Sequence, residues 1–155
     1  MIVHGLAELK TRAGADLGPS GWLEITQDRV NLFADATGDH QWIHVDQERA
    51  KSGPFGGTIA HGYLTLSLVI PLFSELLSIE GIGMAVNYGL NKVRFPTPVP
   101  VGSKVRLHAR LAEIEDVAGG AVQVVADLTV ELDGKDKPAC VAQGVYRYYP
   151  APGDD

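Results

Sequence analysis

At 155 residues the chain has room for one ordinary domain, since domains run to about 150 residues, and 45% hydrophobic content suffices for a core. The formal charge of −6 argues against non-specific nucleic-acid binding, which needs a basic field, and no apolar run reaches the roughly 18 residues of a membrane helix. The single cysteine, Cys140, excludes an intramolecular disulfide and fits a reducing, cytoplasmic compartment, and the opening Met1-Ile2-Val3-His4-Gly5-Leu6 does not read as a secretory signal.

In chain order, the first clear element is a short strand over Gly21–Ile25. Thr26 follows as an N-cap, with Gln27 and Asp28 in the first turn of a helix. Val30, Phe33 and Ala34 recur at helical spacing, and Gly38 is placed to end that helix, which sets Asp39 just past its terminus. Asp46 reads as a second N-cap, opening a short helix through Gln47-Glu48-Arg49-Ala50 before the loop Ser52-Gly53-Pro54-Phe55-Gly56-Gly57. From Ile59 to about Ser78 apolar residues occupy nearly the whole helical wheel, which predicts a long helix buried on most sides and bent at Pro71. Ser67, Ser74 and Ser78 share one narrow stripe, the pattern of close packing on a sheet.

Beyond the helix the period changes to two. Ile82, Met84, Val86, Tyr88 and Leu90 predict a strand, ended by Phe95-Pro96-Thr97-Pro98-Val99-Pro100. Ser103–Leu111, Val122–Leu132 and Ala139–Tyr148 predict three more, with turns at Gly119-Gly120 and Asp133-Gly134. One buried helix followed by four antiparallel strands is an α+β arrangement in which the sheet must curl around the helix. Residues 1–155 read as a single domain, with Ala151–Asp155 a loose tail.

The chemistry concentrates in Phe33-Ala34-Asp35-Ala36-Thr37-Gly38-Asp39-His40-Gln41-Trp42-Ile43-His44-Val45-Asp46 and, after a loop, Ile59-Ala60-His61-Gly62. A carboxylate and an imidazole on a turn leaving a helix, at Asp39 and His44, reach one water if the turn folds back, which is acid/base geometry without a metal. Gly62, at the start of the long helix, offers a backbone N–H with the positive end of the helix dipole behind it, suited to a developing oxyanion.

That run resembles the signature of the MaoC-like, (R)-specific enoyl-CoA hydratases: a helix ending in Gly-Asp, four residues, a histidine, then an aspartate, and downstream Ile-x-His-Gly. The resemblance extends through Tyr88–Gly102 and covers roughly Glu24 to Tyr148. It implies a hot-dog fold, in which an antiparallel sheet wraps a long central helix and two protomers pair into one continuous sheet. It further implies Asp39 as the main base toward water, His44 orienting that water and sharing in proton return to Cα, and the Gly62 N–H on the thioester carbonyl. The commoner family pattern has Asn-Pro where this chain has Gln41-Trp42, an exchange shared by a subgroup of bacterial members. Trp42 and Tyr63 are accordingly candidate substrate-binding residues able to alter the acyl pocket, and His61, another candidate near the substrate, reads chiefly as a residue that holds the catalytic loop.

The activity implied is reversible addition of water to trans-2-enoyl-CoA giving (R)-3-hydroxyacyl-CoA, by a homodimer with no cofactor beyond the coenzyme A of its substrate. Alternatives are a 3-hydroxyacyl-ACP dehydratase of fatty-acid synthesis and a non-catalytic acyl-binding hot-dog subunit. His40, His44 and Asp46 raise a metal site, but Gly38 has ended the helix and no third ligand follows at a recognisable spacing, so no metal is expected. Asp46 reads as a cap rather than a base. Lys92, Arg94, Lys104, Arg106 and Arg110 form the densest basic region, either meeting the phosphates of coenzyme A or covering a solvated strand face.

Overall fold

The computed structural model describes residues 1–152. Strand β1 (Ile2–His4) and helix α1 (Gly5–Lys10) lead into β2 (Asp16–Pro19) and β3 (Leu23–Glu24). Helices α2 (Gln27–Thr37), α3 (Trp42–Val45) and α4 (Gln47–Lys51) form the connecting layer, and α5 (Gly62–Ser67) and α6 (Val69–Leu76) make the central helix. The rest is strand: β4 (Ser78–Glu80), β5 (Ile82–Arg94), β6 (Lys104–Val117), β7 (Ala121–Leu132) and β8 (Cys140–Pro150). Of the predicted tail, Ala151 and Pro152 leave β8 in a turn, and 153–155 lie outside the described residues.

The main sheet has the order β2-β6-β7-β8-β5, antiparallel throughout, with β3 also on β6, while β1 and β4 form a separate parallel pair. Alternation in β6 and β7 sends Val105, Leu107, Leu111, Val124, Leu128 and Leu132 inward. They meet Leu64, Val69, Leu72 and Leu76 of the central helix in one core. This is the α+β hot-dog arrangement expected of the sequence. Among the described residues no helix is long and apolar enough to cross a membrane.

The central helix differs from its prediction in three ways. It starts at Gly62 rather than Ile59, because Ile59 and Ala60 are extended: Ile59 bridges Pro100 and the Ala60 N–H donates to Val99 at 2.8 Å. It is interrupted at Leu68, one turn before Pro71. Proline has no N–H to give the carbonyl of Ser67, so the defect falls four residues upstream of the ring. It also ends at Leu76, and Ser78 belongs to β4. The serine stripe is not a packing seam: Ser67 and Ser74 are exposed and return their hydroxyls to the carbonyls of Tyr63 and Ile70.

Strand β5 is a sheet edge, exposed at every position but Ile82, Val86 and Val93. Its register against β8 slips three times, between Ile82 and Met84, Asn87 and Gly89, and Leu90 and Lys92. Such bulges bend a strand and increase its twist, which lets the sheet close around the helix. They also break the single-face alternation: Val86 pairs with the outward Arg147, whereas Leu90 pairs with the buried Gly144.

The basic region does not form one patch. Lys92 and Arg94 lie on β5, and Lys104, Arg106 and Arg110 lie on β6, with β7 and β8 between. Arg106 is held by Glu131 at 2.6 and 3.1 Å, and its guanidinium stands over the Trp22 ring, 4.4 Å from the centroid.

Candidate active site

The site begins where α2 ends. Thr26 caps the start of that helix, its hydroxyl accepting from the Arg29 N–H at 3.2 Å, and Gly38 ends it in the left-handed conformation at φ 78°, its N–H on the Ala34 carbonyl. This reversal turns Asp39 back along the helix. The next residues form a tight turn, the Gln41 N–H donating to Asp39 Oδ1 at 3.3 Å, and the single turn α3 then presents His44. Asp46 caps α4 as expected, accepting from the Arg49 N–H at 3.0 Å.

The loop from Thr58 to His61 closes on this turn from the other side. The Ile59 N–H donates to the Ile43 carbonyl at 3.0 Å, and the Ile59 carbonyl accepts from His44 Nδ1 at 2.7 Å. Since a carbonyl only accepts, Nδ1 carries the proton and a neutral His44 turns a bare Nε2 lone pair outward. His61 Nε2 donates to the Asp39 carbonyl at 2.9 Å by the same reasoning. Its ring is 3% exposed, lies stacked on His44 with centroids 3.8 Å apart, and has Phe33 on its other side at 4.9 Å. Its Nδ1 is buried without a partner among the described residues.

Asp39, His44 and His61 thus come together, with ligand-type atoms within 4.8 Å of one another, an exposed carboxylate over two buried imidazoles. Burial is the main influence on His44 and pushes its pKa below the ordinary 6.5, aided by the neighbouring His61 and opposed by the hydrogen bond to Ile59 and the charge of Asp39. His40 is separate. It is exposed, bonded at 2.8 Å to Asp35, which raises its pKa.

The third ligand-type residue absent from the spacing argument is therefore His61, brought in by the loop. With His44 Nδ1 and His61 Nε2 donating to backbone carbonyls, His44 Nε2 and His61 Nδ1 are the nitrogens left to accept, and beside the carboxylate they can take and return a proton.

Gly62 opens α5, so its N–H has no acceptor within the helix. A Cβ there would stand 3.1 Å from the ring of Phe95, which therefore lies directly against this backbone. Tyr63 is 70% exposed and meets the same ring edge-on at 6.2 Å. The Pro-rich stretch after β5 is what places Phe95. It crosses from one sheet edge to β6 near the other and also ties down the loop through the Val101 N–H on Thr58. Trp42 packs differently, with Arg49 4.3 Å from its ring centroid and Gly53 against its edge.

Sequence reading did not single out Gln27, Thr58 or Phe95. Gln27 carried only a helix-start signal, and Phe95 stood out only as the residue before a run of prolines.

Below Gly62, a groove of about 240 Å³ runs between the central helix and β5, walled by Leu66, Ile70, Leu90, Leu128 and Tyr146. Leu66 lies one helical turn beyond Gly62 on the same face. The groove continues toward Phe73 and Leu77.

Known proteins share the sequence and the fold. Residues 8–132 match the protein family described as "MaoC like domain". The chain is 57% identical to the 3-hydroxyacyl-thioester dehydratase Z of Mycobacterium tuberculosis over 145 residues, 94% of this chain and 96% of that protein. It is 44% identical to nodulation protein N of Rhizobium leguminosarum bv. viciae, over 90% of this chain and 88% of that one. Among solved structures, the (R)-hydratase from A. caviae involved in PHA biosynthesis shares the fold, with a TM-score of 0.71 at 21% identity over 86% of this chain and 94% of that one.

Proposed function

The chain belongs to the MaoC-like dehydratase family of hot-dog hydro-lyases, and on that premise we propose that it is an (R)-specific enoyl-CoA hydratase, interconverting trans-2-enoyl-CoA and (R)-3-hydroxyacyl-CoA. The observation that carries this reading is the exposed carboxylate of Asp39 beside the bared Nε2 of a neutral His44, next to the first N–H of the central helix.

In the hydration direction Asp39 takes a proton from a water that His44 orients, and the water oxygen bonds to Cβ. The electron pair of the double bond moves onto the thioester carbonyl oxygen, where the Gly62 N–H receives the developing charge. A proton from the Asp39–His44 pair then goes to Cα, so one water has been added and the enzyme is unchanged. General acid/base action contributes about 10²–10⁴-fold and an oxyanion donor about 10²–10³-fold, so the reaction needs both. His61 serves by holding the Asp39 backbone and backing His44. Tyr63 and Phe95 border the thioester position, Trp42 steadies the turn from behind, and the groove below Leu66 accepts the acyl chain. No cofactor enters beyond the coenzyme A of the substrate.

The test is loss of the conjugated-thioester absorbance of crotonyl-CoA, wild type beside Asp39→Asn, with chiral analysis of the product. The expected outcome is the (R)-alcohol from the wild type and a loss of at least about 10² in turnover in the variant. Near-normal turnover in the variant would refute the assignment. The name of the mycobacterial relative specifies a thioester without its carrier, so enoyl groups on coenzyme A and on acyl carrier protein should be run side by side, with faster turnover expected on coenzyme A.

A further inference from the structure

We propose that Gln27 is a positioning residue for His44, a role that rests on the reading of His44 given above. Helix α3 is a single turn of four residues. One turn cannot hold itself together, since helix nucleation costs more than one hydrogen bond returns. Its carbonyls must also find donors outside the helix. The orientation of the imidazole is therefore set by tethers, and the one on the His44 carbonyl comes from Gln27.

Gln27 Nε2 donates to the His44 carbonyl at 2.8 Å and to Asn31 Oδ1 at 3.0 Å, while Gln27 Oε1 accepts from the Thr58 hydroxyl at 2.6 Å. Because the His44 carbonyl can only accept, the amide group has one allowed orientation, NH₂ toward His44 and oxygen toward Thr58. Thr58 is 7% exposed and immediately precedes Ile59, whose carbonyl holds the His44 ring. One amide thus clamps both supports of the imidazole, its own backbone and the loop that fixes its Nδ1. The start of α2 supplies the clamp and the end of α2 supplies Asp39, so a single helix fixes the separation of carboxylate and imidazole.

Gln27→Glu is the informative change, because it keeps size and shape and replaces the donor with an acceptor facing the His44 carbonyl. With crotonyl-CoA, kcat is expected to fall by about 10- to 100-fold with KM within about threefold, the effect of a displaced reacting group. In a His44→Ala background the same change should cost nothing further. In chain labelled with ¹⁵N-histidine, read without substrate, the His44 pKa should rise, since the new carboxylate favours the imidazolium. Thr58→Val, which removes only the hydroxyl, should lower kcat several-fold in the same pattern and serves if the glutamate variant does not fold. Wild-type kcat and an unmoved His44 titration in Gln27→Glu, beside an inactive His44→Ala, would overturn the role of Gln27 and leave that of His44 standing. Undiminished turnover in His44→Ala would overturn both.

Discussion

His44 shows how the backbone decides the chemistry of a side chain. Its Nδ1 is committed to Ile59, and burial disfavours the imidazolium, so the ring favours the neutral form with Nε2 bare. The sign of the pH dependence follows. The unfolded chain takes up a proton near the ordinary value of 6.5, and the folded protein takes it up only at lower pH. The stability linked to this group is thus complete above 6.5 and is lost as pH falls through that value toward the lowered one. A ¹⁵N titration of the folded protein should show His44 neutral to below pH 6.5, with the Nδ1–H tautomer, and the acid limb of kcat/KM should also lie below that value. Asp39 and His44 were legible in the sequence because a short turn holds them together. Gln27 and Thr58 were not, because a side-chain amide reaching a carbonyl 17 residues away leaves no periodic trace.

Among the elements, those with a strict period or a strong cap were readable. The caps at Thr26 and Asp46, the stop at Gly38 and the alternation of β6 and β7 all stand where the sequence puts them. The short pieces were not: α1 has only six residues, and β1, β2 and β4 hold together through long-range pairing, as where the Met1 carbonyl accepts from the Ser78 N–H. The break at Leu68 was anticipated in kind and misplaced by a turn, because the missing bond belongs to Ser67 rather than to Pro71 itself. Gly38 carries the most consequence of any terminator, since its φ of 78° aims Asp39. Any residue with a Cβ pays about 1–2 kcal/mol in that conformation. Gly38→Ala should therefore lower the Tm by several degrees in a thermal melt, and turnover should fall with it as the Asp39 carbonyl is drawn off His61.

At the scale of the whole molecule, the exposed element is β5, a 13-residue edge that leaves Met84, Tyr88 and Leu90 about half exposed. A long exposed edge invites pairing, and we propose that a second copy of the same strand completes it. Light scattering on a sizing column should give twice 16.6 kDa for the chain, and Leu90→Lys, which charges the strip that pairing would bury, should shift it toward the monomer. A monomeric wild type would point instead to a missing different subunit. The stretch from Asp39 to Gly62 holds the clustered carboxylate, both imidazoles and the first N–H of the central helix, while the groove walls at Leu66, Ile70, Leu90, Leu128 and Tyr146 come from later in the chain. On the proposed function, chemistry and acyl-length preference are written in separate parts of the gene, and descendants of this protein would change diet by altering the walls while inheriting the reaction intact.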